Sequence, residues 1–349
     1  MNDPGKGTSG KPITLKDIAA KTGYTSNTVS RALKNKDDIS LATRLKIQDI
    51  AKEMGYIGNA VASSLRSGKT KTIAIIVADV SNLHFSIIVK EIERAARERG
   101  YASFILNTNE EPESEKQAIM SALSKNVDGI IICPSQESTD NLDILHRSNT
   151  PFVLLGRHFG DESSDYVVSA DEKGGYLATA HLIELNHRDI LFLNAHCSIS
   201  SARERLDGYR RAFNEAGIAI KKENIVEVSH LAGGCRKAVQ EAIESQRRFT
   251  AIFAFNDLVA WEAIDTLNAY KLNVPHDVSV VGFDNIQSRF YFPFPLTSIS
   301  SLKGKTARKT FEILIAKIEQ PESTTRYREV IDTKLVLRGS TRAVQAQSY

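Results

Sequence analysis

The sequence predicts a small all-α headpiece followed by a larger α/β core of two lobes, each built on a doubly wound parallel sheet. Residues 15–56 carry the apolar spacing of three short amphipathic helices. From residue 71 onward, continuous apolar runs alternate with amphipathic helices, which is typical of parallel strands covered on both faces. The alternation starts again near residue 174, so two similar lobes follow one another. With 349 residues and 42% hydrophobic content, the chain can bury such a core.

The stretch LKDIAAKTGYTSNTVSRAL, residues 15–33, has the spacing of two short helices that cross at a tight turn. Gly23 is predicted to take the left-handed turn position, which a residue without Cβ enters at little cost. Residues from both helices would close a small core: Ile18, Ala19, Val29 and Leu33. The pattern indicates a helix-turn-helix, although alone it also fits an ordinary helical hairpin whose small residues serve close packing.

The second of these helices has the features of a DNA-reading helix. Thr25 is predicted to be its N-cap, so that Ser26, Asn27 and Thr28 form its first turn. Residues at this end of a recognition helix face base edges in the major groove. Asn27 can pair with an adenine edge, and Arg31, one turn further on, can reach guanine or a phosphate.

A third amphipathic helix completes the predicted headpiece. Ser40 would cap this helix, and Gly55 would end it. Its apolar face is predicted to consist of Leu45, Ile47, Ile50, Ala51 and Met54.

The charge distribution agrees with a DNA-binding N-terminal end. Residues 1–69 hold 12 Lys and Arg against 6 Asp and Glu, whereas the rest of the chain is net acidic. A basic terminus alone is often a solvated surface. Here it coincides with a motif that has to neutralise phosphates.

Both the headpiece and the core resemble the lactose/galactose-repressor (LacI/GalR) family over about residues 12–342. The resemblance is carried by KPITLKDIAAKTGYTSNTVSRALKNKDDIS and GYIGNAVASSLRSGKT, and in the core by SADEKGGYLATAHLIELNHRDI, RERLDGYRRAF, FAFNDLVAWEAI, VSVVGFDN, PLTSIS and VLRGST. It implies an all-α helix-turn-helix headpiece plus an α/β two-lobed core like that of periplasmic binding proteins. It also implies a transcription repressor that binds double-stranded DNA at a palindromic operator as a homodimer and responds to a small effector.

The resemblance also implies the domain limits. We expect a headpiece at residues 12–57 between a disordered tail at 1–11 and a hinge at 58–70. The core at 71–342 is then followed by a tail at 343–349. Within the core, we assign the lobes as follows: first lobe about 71–170 plus a returning segment near 301–330, and second lobe about 175–295 plus 331–342.

In the family, the hinge forms a helix in the minor groove at the operator centre, and a leucine from each subunit wedges between base pairs. Leu65 is the matching residue here, and such a wedge kinks the duplex. Val61, Ala62 and Arg66 would line the same groove. The full set of expected DNA contacts is Thr14, Thr25, Ser26, Asn27, Thr28, Ser30, Arg31, Asn35, Tyr56, Asn59, Val61, Ala62, Leu65 and Arg66.

The effector is expected in the cleft between the lobes, beyond the carboxyl ends of the strands. Asp257 could accept two sugar hydroxyls, and Arg205 could clamp a hydroxyl, carboxylate or phosphate. Alternatively, these two residues form an interlobe salt bridge that fixes a closed form. Arg157 departs from the family pattern and favours an anionic effector. The expected contacts are His84, Phe85, Arg157, Arg205, Asn256, Asp257, Asp284 and Phe290.

The resemblance implies that the core lobes also carry the dimer interface. The expected elements are the first-lobe helix that contains Ile88, Ile92 and Ala95, and the second-lobe helix from Leu258. The aromatic stretch at residues 290–294 could stack on a sugar ring, but packing beneath the hinge strands is the favoured interpretation.

Other protein classes receive little support from the sequence. No apolar run approaches the roughly 20 residues of a membrane span, and the N-terminus lacks the apolar core of a secretory signal, so a cytoplasmic protein is expected. Cys133, Cys197 and Cys235 show neither disulfide nor metal-site spacing. No nucleophile elbow, phosphate-binding loop or metalloprotease motif is present. We expect no catalysis, no metal and no cofactor.

The sequence therefore predicts a repressor of carbohydrate-related genes that senses a sugar, sugar acid or sugar phosphate. One alternative is a global regulator of the same fold that is controlled by a phosphorylated carrier protein. A more distant alternative is a solute-binding protein for sugar uptake.

Overall fold

The computed structural model describes residues 13–57, 68–160, 163–229 and 233–344. The predicted N-terminal tail and the hinge residues 58–67 lie outside this range. The chain divides after Thr70 into two compact units, the headpiece and the core.

The described residues of the headpiece form three helices: α1 Leu15–Thr22, α2 Ser26–Leu33 and α3 Leu41–Glu53. As predicted, Thr25 caps α2, and its hydroxyl accepts the backbone N–H of Thr28 at 3.2 Å. Ser40 caps α3 in the same way. Gly23 has φ 76°, so the left-handed turn after α1 is confirmed.

All but one of the residues predicted for the small headpiece core belong to it, and Ala32 joins them without having been predicted. Its fully buried side chains come from all three helices: Ile18, Val29, Ala32 and Ile47. Leu45, predicted on the apolar face of α3, is instead 50% exposed. Two residues correspond to about 200° around a helix, so Leu45 lies on the side opposite Ile47.

The core contains twelve strands and eight helices among its described residues. The strands are β1 Thr72–Val77, β2 Ala102–Asn107, β3 Gly129–Ile132, β4 Phe152–Leu155, β5 Tyr166–Ser169, β6 Ile190–Asn194, β7 Ile225–Glu227, β8 Ala251–Ala254, β9 Ser279–Asp284, β10 Thr297–Ser300, β11 Arg328–Ile331 and β12 Lys334–Val336. The helices are α4 Leu83–Glu98, α5 Pro112–Ser124, α6 Asp140–Arg147, α7 Asp171–Glu184, α8 Ser200–Glu215, α9 Arg236–Glu244, α10 Asp257–Ala269 and α11 Lys303–Glu319.

The strands form two six-stranded sheets, one in each lobe. The first sheet has the order β11-β5-β4-β3-β1-β2, and the second has the order β12-β10-β9-β8-β6-β7. All neighbours are parallel except β10 and β12. The chain crosses between the lobes after β5, after β10 and after β11, and α11 packs on the first lobe. The carboxyl ends of the strands are where a ligand binds in sheets of this kind.

One face of α4, the first-lobe helix predicted at the dimer surface, packs inside the lobe. Ile88 and Ile92 are 2% and 0% exposed and belong to the first-lobe core, together with residues of β1 and α11. Ala95 packs against the same cluster. A partner subunit would therefore contact the other face of this helix, and the interface on α4 stays a prediction.

Helices α7 and α8 approach each other closely through two glycines. A Cβ at Gly208 would lie 2.0 Å from the carbonyl oxygen of Glu172, and a Cβ at Gly175 would lie 2.2 Å from that of Arg205. Both neighbours are backbone atoms, so neither can move aside alone. This crossing fixes the position of Arg205 relative to the start of α7.

We expect Gly208→Ala to lower the free energy of unfolding of the core by about 1–3 kcal/mol or more, because the added methyl group overpacks a rigid crossing. Gly304→Ala is the matched control, since its Cβ would have Arg289 at 3.9 Å as its nearest neighbour. This control should be neutral or slightly stabilising. Urea denaturation followed by circular dichroism compares the two variants, and equal midpoints would contradict the close-crossing argument.

Candidate DNA interface and interlobe cleft

The predicted DNA-reading positions on α2 are available to a partner. Thr25, Asn27 and Arg31 are exposed, while Ser26, Thr28 and Ser30 are half-buried. No acidic residue lies in the first turn of α2. The N-terminal end of this helix therefore presents polar side chains and the positive end of the helix dipole to the outside, as phosphate and base-edge contacts require.

Arg31 has a partner within the headpiece. Its Nε and Nη2 atoms lie 2.7 Å and 2.5 Å from Oδ2 of Asp38. Both side chains are about half exposed, and an exposed pair of this kind contributes little to stability. A guanine edge or a phosphate can replace Asp38 at small cost.

Of the other predicted DNA contacts, three lie in the headpiece and five in the hinge. Thr14 and Asn35 are exposed, and the Asn35 side chain accepts a hydrogen bond from Gln48 at 2.8 Å. Tyr56 packs against the headpiece core. The hinge residues lie outside the described part of the chain: Asn59, Val61, Ala62, Leu65 and Arg66.

A cavity of about 350 Å³ lies between the two lobes. The first lobe contributes Glu110, Ser135 and Glu137, and the second contributes His196, Ser198 and Ile199. These residues follow β2, β3 and β6, so the cavity is at the carboxyl ends of the strands. None of the six was predicted, because each is an ordinary polar or apolar loop residue until the two lobes are brought together.

His84 and Asp284 join the lobes by an ion pair at the base of α4. His84 Nδ1 lies 3.0 Å from Asp284 Oδ1. Burial alone would raise the pKa of Asp284, but the charge of His84, aided by Arg205 and Lys303, lowers it to about 2. Asp284 also has φ 96°, a strained value for a residue with a Cβ. Both residues were predicted as effector contacts, but not as partners of one another.

Asp257 is 1% exposed and has its hydrogen bonds inside the second lobe. Its carboxylate accepts the hydroxyl of Ser298 at 2.5 Å and the backbone N–H of Ile286 at 2.8 Å. Burial and the neighbouring charge of Asp284 raise the pKa of Asp257 to about 7, despite these two hydrogen bonds. The carboxyl group is thus close to its titration point at neutral pH.

Arg205 is bound within the second lobe. Its Nε donates to Asp171 Oδ1 at 2.7 Å, and its Nη1 donates to the carbonyl oxygen of Phe255 at 2.6 Å. The guanidinium carbon lies 3.6 Å from the ring centroid of Phe283. Burial raises the pKa of Asp171 to about 6, although Arg205 opposes this. The alternative of an interlobe salt bridge between Arg205 and Asp257 is therefore wrong, because both have their partners in their own lobe.

Arg157 is bound within the first lobe. Its Nη1 and Nη2 atoms each lie 2.7 Å from an oxygen of Glu110, and Nη1 also donates to the carbonyl oxygen of Pro134 at 2.7 Å. The side chain is 6% exposed. The positive charge on which the expectation of an anionic effector rested is thus already neutralised.

The remaining predicted cleft residues have structural roles. The Asn256 side chain caps α10 by accepting the N–H of Val259 at 2.8 Å. Phe85 packs against the first-lobe core. In the aromatic stretch, Phe290 is 41% exposed, whereas Phe292 stacks on Trp261 with ring centroids 4.0 Å apart. The packing interpretation thus applies to Phe292.

A second set of contacts joins the lobes at the start of α8. His158 Nε2 lies 2.6 Å from Glu204 Oε1, and the His158 backbone N–H donates to Ser200 Oγ at 3.1 Å. Gln136 accepts the backbone N–H of Ser200 at 2.9 Å. These residues were missed because they lie in loops after β3 and β4. No local sequence pattern distinguishes such loops from other polar connections.

A helix-turn-helix headpiece together with a two-lobed core and a polar cleft defines a DNA-binding regulator of transcription. Residues 14–59 match the model of bacterial regulatory proteins of the lacI family. Residues 70–337 match that of periplasmic binding proteins and the sugar binding domain of the LacI family. The chain belongs to the LacI family of bacterial regulatory proteins.

Individual relatives span almost the whole chain. The HTH-type transcriptional repressor PurR of Actinobacillus pleuropneumoniae serotype 3 (strain JL03) is 33% identical, covering 94% of this chain and 98% of that protein. The transcriptional regulator CelR in complex with cellobiose is 27% identical with a TM-score of 0.71, covering 94% and 99%. The Lac repressor bound to ONPG in the repressed state is 26% identical with a TM-score of 0.81, covering 95% and 100%. In the described part of this chain, no helix has the length and apolarity to cross a membrane.

The raised pKa of Asp257 predicts a specific pH dependence. A carboxyl group with a folded pKa of about 7 and an unfolded pKa near 3.9 favours the folded state below about pH 4, and this contribution is lost as the pH rises toward 7. Asp257→Asn removes the titration and keeps a hydrogen-bonding side chain. We therefore expect the melting temperature of the variant to rise relative to wild type as the pH increases from 5 to 8.

Asp207→Asn is the control for this experiment, because Asp207 is about half exposed and lies on the surface of α8. Its melting temperature should follow that of wild type across the same range. A constant difference between Asp257→Asn and wild type at every pH would show that Asp257 does not titrate there.

Proposed function

We propose that this protein represses carbohydrate-related genes by binding a palindromic operator as a homodimer, and that a small neutral polyhydroxyl molecule in the interlobe cleft modulates this binding. The exposed, capped start of α2, in a headpiece that matches the LacI model, carries the DNA-binding part of the proposal. Two headpieces are needed because the two halves of a palindrome are read by symmetry-related helices. Such a regulator acts in the cytoplasm.

The hinge would convert a change in the core into a change in DNA affinity. By family resemblance, residues 58–70 would order in the minor groove, with Leu65 as the wedge and Asn59, Val61, Ala62 and Arg66 beside it. A segment of this length is a marginal helix in water. It would therefore depend on the operator and on the partner subunit's hinge for its order.

The charges in the cleft favour a neutral effector over an anionic one. Arg157 and Arg205 already have carboxylate partners, Glu110 and Asp171. An anion that took either arginine would leave a buried carboxylate without its partner, which is strongly unfavourable. Glu137 also lines the interlobe cavity and would repel an anion, whereas the charge of Glu110 is neutralised by Arg157.

The same cavity provides many hydrogen-bonding groups for hydroxyls. Carboxylates accept hydrogen bonds from hydroxyl groups, and serine hydroxyls both donate and accept. The related regulator CelR forms a complex with cellobiose, a neutral sugar. The cavity of about 350 Å³ is within the range of small-molecule sites.

A thermal-shift comparison of glucose, cellobiose, gluconate and glucose 6-phosphate tests the proposed effector class. We expect a neutral sugar to raise the melting temperature of the full-length protein by mass action, with about 2.7 kcal/mol of stabilisation at 100 times its Kd. Glu137→Gln should weaken this effect because it changes a cavity wall, whereas Glu322→Gln, on an exposed loop, should not.

Stabilisation by the anions alone would contradict the neutral class. No response to any of the four compounds would favour control by a phosphorylated carrier protein.

For the headpiece, we expect Asn27→Ala and Arg31→Ala to relax the preference for particular operator base pairs, at a cost of about 1–3 kcal/mol for each lost base contact. Asp38→Ala is the matched variant with the opposite expectation, because it frees Arg31 and should strengthen DNA binding. Fluorescence anisotropy with operator and scrambled duplexes at fixed salt measures all three. An equal loss on both duplexes would show that Asn27 and Arg31 contact only the backbone.

A further inference from the structure

A second cavity, of about 410 Å³, lies beside the segments that cross between the lobes. Ile87 of α4 lines it from the first lobe, and Val336 of β12 lines it from the second. It shares no residue with the interlobe cavity described above or with the predicted effector contacts. It is therefore a separate place where a ligand can bind.

The lining of this second cavity is strongly cationic. Four basic side chains, Arg289, Lys303, Lys305 and Lys334, converge on it, and no acidic residue is found among the lining residues that the structure describes. Positive charges gathered in a concave site with low-dielectric walls concentrate anions there. In this respect it is the opposite of the interlobe cavity, which has two glutamates in its wall.

The four cations differ in how far they are already satisfied. Lys303 is 5% exposed, and its ammonium group donates to the backbone carbonyls of Asp284 and Asn285. An ammonium group has three donors, so these two bonds leave one for a ligand. Arg289 Nη2 lies 3.4 Å from Glu91 Oε1, a long contact in which the Arg289 side chain is 56% exposed. Lys305 and Lys334 are exposed on the two crossing segments.

Neutral hydrogen-bonding groups complete the cavity. Ser300 is buried and Ser288 is exposed, and both line it. Gly304, in the first turn of α11, also lines it, and no side chain caps the start of that helix. Uncapped amides at the start of a 17-residue helix add partial positive charge to that of the lysines.

We propose that this cavity is a second ligand site that binds a small phosphorylated anion. Four cationic side chains and two serine hydroxyls match the charge and the acceptor oxygens of a phosphate group. The volume exceeds that of a bare phosphate ion and leaves room for a sugar-sized group attached to it. Because the walls come from both lobes and from the segments between them, the bound anion contacts the parts of the core that must move when the lobes rearrange.

Titration calorimetry of the full-length protein with inorganic phosphate, in a zwitterionic buffer at constant ionic strength, tests the proposal. We expect saturable binding that the double variant Lys305→Glu/Lys334→Glu weakens at least about tenfold, because two attractive charges become repulsive. The matched control Lys222→Glu/Lys237→Glu makes the same change in net charge on exposed second-lobe lysines. It should alter the Kd by less than about twofold.

Equal weakening by both double variants would show general charge attraction and would overturn the proposal, as would the absence of saturable binding to wild type. Phosphate held by the basic headpiece would bind all variants alike, which would also overturn it. Glucose and glucose 6-phosphate then separate the sources of the phosphate group. If glucose 6-phosphate binds more tightly than inorganic phosphate, and only Lys305→Glu/Lys334→Glu weakens its binding, the ligand is a phosphorylated metabolite.

This result is distinguishable from the test of the interlobe cleft. Glucose binding should be the same in the Lys305→Glu/Lys334→Glu variant as in wild type, because neither lysine lines the interlobe cavity. A loss of both ligands in that variant would show that it disrupts the core as a whole, and Lys305→Ala would then be used to repeat the phosphate titration.

Discussion

The three chain crossings between the lobes are the constraint on which the rest of the core depends. They hold the carboxyl ends of two parallel sheets toward a common cleft, so loops from distant parts of the sequence meet there. His84 and Asp284, 200 residues apart, can form an ion pair only in this arrangement. The contacts of His158 and Gln136 with α8 depend on it in the same way. The cleft is thus a product of topology before it is a product of particular side chains.

Burial of charge in the cleft imposes a second condition, which is neutralisation within each lobe. Arg157 with Glu110 and Arg205 with Asp171 are both almost fully buried pairs, and each lies within a single lobe. A pair confined to one lobe remains intact when the lobes move, so opening the cleft does not expose an unpaired buried charge. The side-chain contacts that cross the cleft, at His84 and His158, involve histidines that are 19% and 20% exposed. Lobe movement breaks these contacts and leaves the two buried pairs intact.

The local features of the fold could be predicted from the sequence because they depend on near neighbours. The capping of α2 by Thr25 and the turn at Gly23 follow from hydroxyl chemistry and from the missing Cβ, and both were found. The short strands β5 and β11 were not predicted as separate elements. Each has only four residues, and they pair with one another although they are remote in sequence.

The candidate site was predictable to a smaller extent. Arg205 and Asp257 were chosen from the sequence as effector contacts, which stays a prediction. Their hydrogen-bond partners could not be predicted, since a partner depends on the packing of α7 against α8 and on the loop after β9. The side chain of Leu45 illustrates the same limit on a smaller scale. Leu45 was predicted in the headpiece core because it is apolar. Its position around α3 places it on the exposed side instead.

The loop after β9 connects the second cavity to three of the predicted effector contacts: His84, Asp257 and Asp284. On one side, Asp284 pairs with His84 and raises the pKa of Asp257. On the other, Lys303 holds the backbone carbonyls of Asp284 and Asn285, and both residues have positive φ angles. An anion that draws on the third donor of Lys303 acts on the backbone segment that carries Asp284, a predicted effector contact. Since coupling between two sites is reciprocal, any effect of the anion on sugar affinity must equal the effect of the sugar on anion affinity. A strained two-residue segment is a suitable carrier for that coupling, because its backbone is held in place by contacts with Lys303 and His84 rather than by its own preference.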